Sequence, residues 1–235
     1  MLLRSGPGGP EVYLTRRAAR SRFMPDAFVF PGGAVDAADR DDARALLAVQ
    51  DGSGPRDADV AALTLRITAI RELFEEAGIL LARDAAGAAV MLEAQRLASL
   101  RREAMQRGAL GPLLAEGSLR PDVAALAYYS NWITPASEPI RFDAHFFVAR
   151  IPAGQTAVAD AVEVHDGVWL APAGALAASD RGELAIRFPT RKHLERLAGF
   201  DDLDALFAHA GARSVAPVLP VIREGGSFAF DEDAW

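Results

Sequence analysis

The stretch Ala69-Ile70-Arg71-Glu72-Leu73-Phe74-Glu75-Glu76-Ala77-Gly78-Ile79 decides how this chain is read. With Glu72 at zero on a helical wheel, Glu76 falls at about 40° and Glu75 at about −60°. Three carboxylates therefore share one face. Ile70, Leu73, Phe74 and Ala77 fall between about 100° and 200°, so the other side of the helix can bury itself in a core. Like charges at this spacing repel, and neither Ala77 nor Leu80 supplies the lysine or arginine with which an exposed helix would offset them. Hard divalent cations with oxygen ligands are the natural neutralising partner. Arg71 is the adjacent cation, placed to brace one carboxylate or a neighbouring loop. Taken alone, Glu-x-x-Glu-Glu reads as a solvated acidic face.

Working outward changes that reading. Upstream, Ala27-Phe28-Val29-Phe30 is a β-prone run stopped by Pro31-Gly32-Gly33, a turn where backbone can approach a metal or phosphate without a Cβ in the way. Residues 2–4 and 11–16 read as two strands flanking a Gly/Pro turn. From Val35 to about Asp59 the chain is rich in Asp, Ala and Gly, and the expectation is a surface excursion with one short helix at 42–49 and a turn at 51–55. The clearest helix covers 60–78 and ends at Gly78. A strand is expected at 79–82, a helix at 91–107, strands at 124–133, 143–151 and 164–170, helices at 173–178, 189–198 and 202–210, and an extended tail at 215–222.

Composition narrows the function. The 235 residues are 51% hydrophobic and 24% charged, enough to bury a core. There is no cysteine, which removes disulfides, thiolate metal sites and cysteine nucleophiles together. A net charge of −7 disfavours nucleic acid and anionic membrane as partners. No apolar run reaches membrane-spanning length, and Met1-Leu2-Leu3-Arg4 is too short before its turn to be a signal peptide, so the expected location is the cytoplasm. Neither a Gly-x-Gly-x-x-Gly motif after a strand nor a P-loop is present.

The residues resemble the Nudix hydrolases, whose box runs Gly, five residues, Glu, seven residues, then Arg-Glu-apolar-x-Glu-Glu-x-Gly-apolar. Arg71 to Ile79 matches the second half at every fixed position, Gly33 matches the leading glycine, and Asp39 stands where the first glutamate would. Gly33 to Arg71 is 38 residues where the family spacing is 14, an insertion of 24. Such an insertion is similar to the acyl-coenzyme A diphosphatase branch. Leu14-Thr15-Arg16-Arg17-Ala18, Arg22 and Phe30-Pro31-Gly32-Gly33 also fit the spacing of a motif of coenzyme A-cleaving members, with Tyr13 for an apolar residue and Asp26 for a glycine. Asn131 to Pro135 and Arg141 to Phe147 lean the same way.

The resemblance implies an α+β fold, a Nudix-type α/β/α sandwich with a mixed β-sheet between helices. It would form one domain over 1–235, with an insertion at about 36–59, a helical elaboration at about 84–118 and a helical and extended tail from about 184. The implied activity is hydrolysis of the diphosphate of a nucleoside diphosphate derivative, coenzyme A or acyl-coenzyme A first. ADP-ribose, NADH, a dinucleoside polyphosphate, or a non-catalytic nucleotide-binding role are the alternatives. Mg2+ or Mn2+ would be held by Glu72, Glu75, Glu76 and the Gly33 carbonyl. Glu72, Glu76 or the loop carboxylate Glu163 would serve as base, and Arg71 would orient the cluster. Arg17, Arg22 and Arg141 are candidates for the phosphates, with a solvated surface position as the plain alternative for each. His145, Trp132 and Trp169 read as core or edge residues. Family members often dimerise, so a homodimer is among the expectations.

Overall fold

A computed structural model describes residues 1–20, 24–51, 56–161, 164–223, 228–231 and 235. In chain order the elements are β1 (Leu2–Gly6), β2 (Gly9–Arg17), β3 (Phe28–Val29), α1 (Ala37–Asp51), α2 (Asp57–Ala77), β4 (Ala82–Arg83), α3 (Ala94–Arg107), α4 (Gly111–Glu116) and β5 (Arg120–Pro121). There follow β6 (Ala127–Ile133), β7 (Asp143–Arg150), β8 (Val164–Leu170), α5 (Pro172–Asp180), α6 (Phe188–Leu197), α7 (Leu203–Ala212), β9 (Pro217–Val218), β10 (Val221–Ile222) and β11 (Phe228–Ala229). Among the described residues no helix is long and apolar enough to cross a membrane.

The central sheet runs β3-β2-β1-β7-β6-β9, with β8 on the free side of β2. It is mixed, because β1 lies parallel to β7 and β6 parallel to β9 while the other pairs are antiparallel. Both faces are covered, and the period-two alternation of the strands shows how. Leu2, Tyr13, Phe147 and Ala149 pack with α2, α3 and α4 on one face. Leu3, Val12, Leu14 and Val148 pack with α5, α6 and α7 on the other. The layered α/β/α arrangement expected from the resemblance is therefore present.

The sheet splits, and the split positions the site. Val12 of β2 lies opposite both Leu3 of β1 and Leu170 of β8, while Thr15 lies opposite both Val29 of β3 and Gly167 of β8. Hence β1 and β3 share one edge of β2. Between these pairings there are two residues of β2, Tyr13 and Leu14, so β3 cannot run on without striking β1. The chain has to leave the sheet at Phe30-Pro31. On its other side β3 is met by the segment before α6, through the Phe28 amide to the Ala185 carbonyl.

Two local expectations need correction. The insertion is not a loop with a short helix: α1 and the first part of α2 form a helical hairpin, closed by Ala43, Val60 and Ile67. The run was rich enough in Ala and Leu to hold a longer helix, and Asp39 in its first turn accepts from the Asp36 amide at 2.9 Å, which caps it. Residues 52–55 of the expected turn lie outside the described residues. Nor is Ile79-Leu80-Leu81 a strand; only Ala82 and Arg83 pair, with Pro121 and Arg120. Leu80 instead meets the side-chain amide of Gln155, which accepts from its N–H at 2.8 Å and donates to its carbonyl at 2.9 Å. One glutamine stands in for a neighbouring strand, satisfying backbone groups that burial would otherwise leave unpaired.

Candidate active site

α2 delivers the acidic row. Ile70, Leu73, Phe74 and Ala77 are buried against the sheet, a burial that contributes roughly 1.5–3 kcal/mol for each large side chain. That anchoring turns Glu72 and Glu76 toward the point where Pro31-Gly32-Gly33 leaves the sheet, while Glu75 turns onto Arg71. The Gly32 amide donates to Glu76 Oε2 at 2.9 Å. The Glu72 carboxylate lies against Gly33 so closely that a Cβ there would sit 2.4 Å from Glu72 Oε1. The contact needs glycine because it leaves no volume for a side chain.

Arg71 is the hub. Its Nε donates to Asp39 Oδ1 at 2.8 Å and its Nη2 to Asp39 Oδ2 at 3.0 Å, a two-pronged pair with both partners buried. Nη2 also reaches the Ala34 carbonyl, and Nη1 lies 2.9 Å from both Glu72 Oε1 and Glu75 Oε2. Burial opposes its charge, but the Asp39 bond and the Glu72, Asp39 and Glu75 charges more than offset this and hold the guanidinium protonated. Burial likewise pushes Asp39 up, and the bonds from Arg71, the Asp36 amide and Thr68 outweigh it, leaving its carboxyl below the usual range.

Arg71 thus joins Asp39 to Glu72 and Glu75. Asp39 and Arg71 are far apart in sequence, yet the α1–α2 hairpin folds the extra residues out and returns Asp39 to Arg71. As they stand, no three acidic or histidine side chains among the described residues are gathered closely enough to hold a metal ion. Glu72 and Glu75 are turned onto Arg71 and Glu76 onto the Gly32 amide.

The remaining candidates are placed as follows. Arg22 and Glu163 lie outside the described residues. Arg17 ends β2, its amide bonded to the Ala27 carbonyl. Arg141 is exposed in the β6–β7 connection and donates to the Thr134 carbonyl at 3.1 Å, so it is not joined to the glutamate row. Trp132 is buried, and His145 shares a 2.7 Å hydrogen bond with Tyr128, as a core and an edge residue would be. Asp26, at the motif's glycine position, adopts φ 59°, the left-handed conformation that glycine takes freely. Its carboxylate pairs with Arg16 at 2.8 Å.

Arg101 and Gln155 carry no motif and were not singled out in the sequence. Arg101 comes from α3, donating to the Glu75 carbonyl through Nε at 3.0 Å and Nη2 at 2.6 Å, and to the Val158 carbonyl through Nη1 at 2.9 Å. Burial lowers its pKa against the pull of Asp160, Tyr13, Glu76 and Glu75. The one local signal was an arginine on an otherwise amphipathic helix, which does not say what it reaches.

A family profile described as the NUDT19 Nudix domain matches residues 42–197. The chain belongs to the Nudix hydrolase family. Acyl-coenzyme A diphosphatase NUDT19 of Gallus gallus is 30% identical, over 89% of this chain and 67% of its own length. The Homo sapiens protein of the same name is 31% identical, over 91% of this chain and 68% of its own. A crystal structure of a NUDIX hydrolase from Alicyclobacillus acidocaldarius superposes with a TM-score of 0.70 at 26% identity, covering 88% of this chain and 92% of that one. Both the superfamily and the branch suggested by the motifs are borne out. Within this Nudix hydrolase, Gly33 and Asp39 precede the first residue of the profile match, so their place in the box rests on spacing and on the contacts above.

Proposed function

We propose that this Nudix hydrolase cleaves the diphosphate of coenzyme A or an acyl-coenzyme A, using Mg2+ or Mn2+. The observation that carries the reading is the closeness of the Glu72 and Glu76 carboxylates to Gly33 and Gly32, which brings all-oxygen donors and side-chain-free backbone to one spot. That donor set fits a small hard cation, and the Gly33 contact leaves backbone open where a phosphate has to come near. The relatives' names favour coenzyme A over other diphosphates.

Glu72, Glu75, Glu76 and the Gly33 carbonyl would hold the ion. When bound, it supplies positive charge to the non-bridging phosphate oxygens and makes a water more acidic. The chain's own groups do the rest. Arg71, fixed by Asp39, would orient the Glu72 and Glu75 carboxylates that it touches. Glu72, Glu76 or Glu163 takes a proton from the attacking water. The new bond joins water oxygen to one phosphorus, the bridging P–O bond of the diphosphate breaks, and the substrate leaves as two products, each keeping one phosphate of the former diphosphate. Arg17 and Arg22 would make phosphate contacts, and Arg141, exposed and bonded to the Thr134 carbonyl, would not.

The test is a panel of coenzyme A, an acyl-coenzyme A, ADP-ribose, NADH and a dinucleoside polyphosphate with Mg2+ or Mn2+, run beside Glu76→Gln. Coenzyme A or its acyl ester should turn over fastest, and Glu76→Gln should lose at least about 100-fold in kcat. Rapid cleavage of ADP-ribose with coenzyme A untouched defeats the substrate assignment. Equal activity of Glu76→Gln and wild type defeats the assignment of the site.

A further inference from the structure

The last turn of α2, which carries Glu75 and Glu76, is held from outside the helix at two carbonyls. Ala77 O accepts from the Val158 amide at 2.8 Å. Glu75 O accepts twice from Arg101, which also holds Val158 O. A guanidinium at the C-terminal end of a helix is favourably placed toward its dipole. Gly78 makes the arrangement fit: it ends the helix at φ 70°, and a Cβ there would lie 3.2 Å from Arg101 Nη1. Arg101 thus joins three separate parts of the chain, namely α3, the glutamate turn of α2 and the segment after β7.

We propose that Arg101 is a positioning residue for the carboxylates of that turn. The proposal rests on the reading that Glu75 and Glu76 serve diphosphate hydrolysis. Without Arg101 the last turn keeps only the Val158–Ala77 bond from outside the helix and can fray, which moves the Glu75 and Glu76 side chains together relative to Gly32 and Gly33. Arg101 acts through the backbone and through its charge beside Glu75 and Glu76. It does not touch substrate.

Gln155 supplies the control. It pins the same segment to Leu80, one turn farther on, but reaches neither the glutamate turn nor its charges. The experiment compares Arg101→Met, Arg101→Lys and Gln155→Ala for Tm, for Mn2+ affinity without substrate by electron paramagnetic resonance, and for kcat and KM with coenzyme A. Arg101→Met should weaken Mn2+ binding about 10-fold and lower kcat about 10- to 100-fold with KM nearly unchanged. Arg101→Lys, which keeps the charge but cannot span both carbonyls, should fall between. Gln155→Ala should lower Tm while Mn2+ affinity and kcat stay within about 2-fold of wild type. If Arg101→Met does not fold, Arg101→Lys carries the comparison. Mn2+ affinity and kcat of the arginine variants moving no more than those of Gln155→Ala would overturn the proposal. A wild type that neither binds Mn2+ nor cleaves coenzyme A would show that the hydrolase reading itself has failed, and the proposal with it.

Discussion

Replacing Gly33 with alanine separates the architecture of the site from the stability of the fold. The added Cβ would lie 2.4 Å from Glu72 Oε1, 2.6 Å from Cδ and 2.7 Å from Oε2. Ordinary contact between such atoms is about 3.5 Å, so the carboxylate has to retreat by roughly 1 Å. Gly33 is not among the glycines at positive φ, so alanine brings no backbone strain. It should even gain about 0.4–1 kcal/mol by restricting the unfolded chain. Overpacking in a rigid core costs about 1–3 kcal/mol, and the low end applies here because the atoms met are the end of one side chain, buried beside Arg71, that can rotate about its own bonds. The two effects nearly cancel, leaving a net change within about 1 kcal/mol, or about 2–4 °C in Tm for a chain of this size. Catalysis has no such relief, because a displacement of about 1 Å at a reacting group costs on the order of 100-fold. Gly33→Ala should therefore melt almost like wild type in a thermal scan and cleave coenzyme A about 100-fold more slowly. Wild-type kcat/KM for this variant would refute the placement of Glu72 against the turn, and a fall in Tm beyond about 10 °C would show that the collision is with something rigid.

The site was more legible in the sequence than the frame around it, for a physical reason. The acidic row is a local fact: a period of 3.6 and three glutamates suffice to put them on one edge, and Gly78 ends the helix wherever the chain goes next. The alternation in Val12-Tyr13-Leu14 and Phe147-Val148-Ala149 is also local, so a sheet buried on both faces could be read. What could not be read depends on partners far along the chain. Ile79-Leu80-Leu81 is as apolar as a strand, but the group that satisfies Leu80 is a side chain 75 residues away. The helical length of α1 depends on packing against α2, which composition alone does not announce. Asp39 was placed by counting from Gly33, while its bond to Arg71 depends on the hairpin bringing its two ends together. Arg101 is one of many arginines until α3 is packed, and only then does it become the residue that meets Glu75.

Two further predictions concern residues the fold treats unusually. Asp26→Gly should relieve about 1 kcal/mol of left-handed strain and lose an Arg16 ion pair that is nearly half exposed on both sides, worth about 0–1 kcal/mol; urea unfolding should show a change between zero and about 1 kcal/mol of stabilisation, and a loss greater than 1 kcal/mol would show that the pair does more than strain relief returns. His193 should make the fold sensitive to mild acid. It is fully buried, its Nδ1 faces the Pro189 carbonyl at 2.6 Å, and Nε2 lies 2.6 Å from Ser130 Oγ. Nδ1 therefore donates and Nε2 accepts the hydroxyl proton, which is the neutral ring. Burial, with Arg196 adding to it, lowers the pKa from 6.5 to about 3. Between those values the unfolded chain binds a proton that the folded one refuses, so this contribution to stability is complete above about pH 6.5 and declines as pH falls, by about 1.4 kcal/mol per unit. At pH 5 wild type should have lost about 2 kcal/mol through His193 relative to pH 7 or above. Urea unfolding of wild type and His193→Gln at both pH values isolates the term, because the surface carboxylates titrate alike in the two proteins. An equal loss in both would mean that the ring accepts a proton in place, with Nε2–H then donating to Ser130 Oγ while Nδ1 still donates to the Pro189 carbonyl.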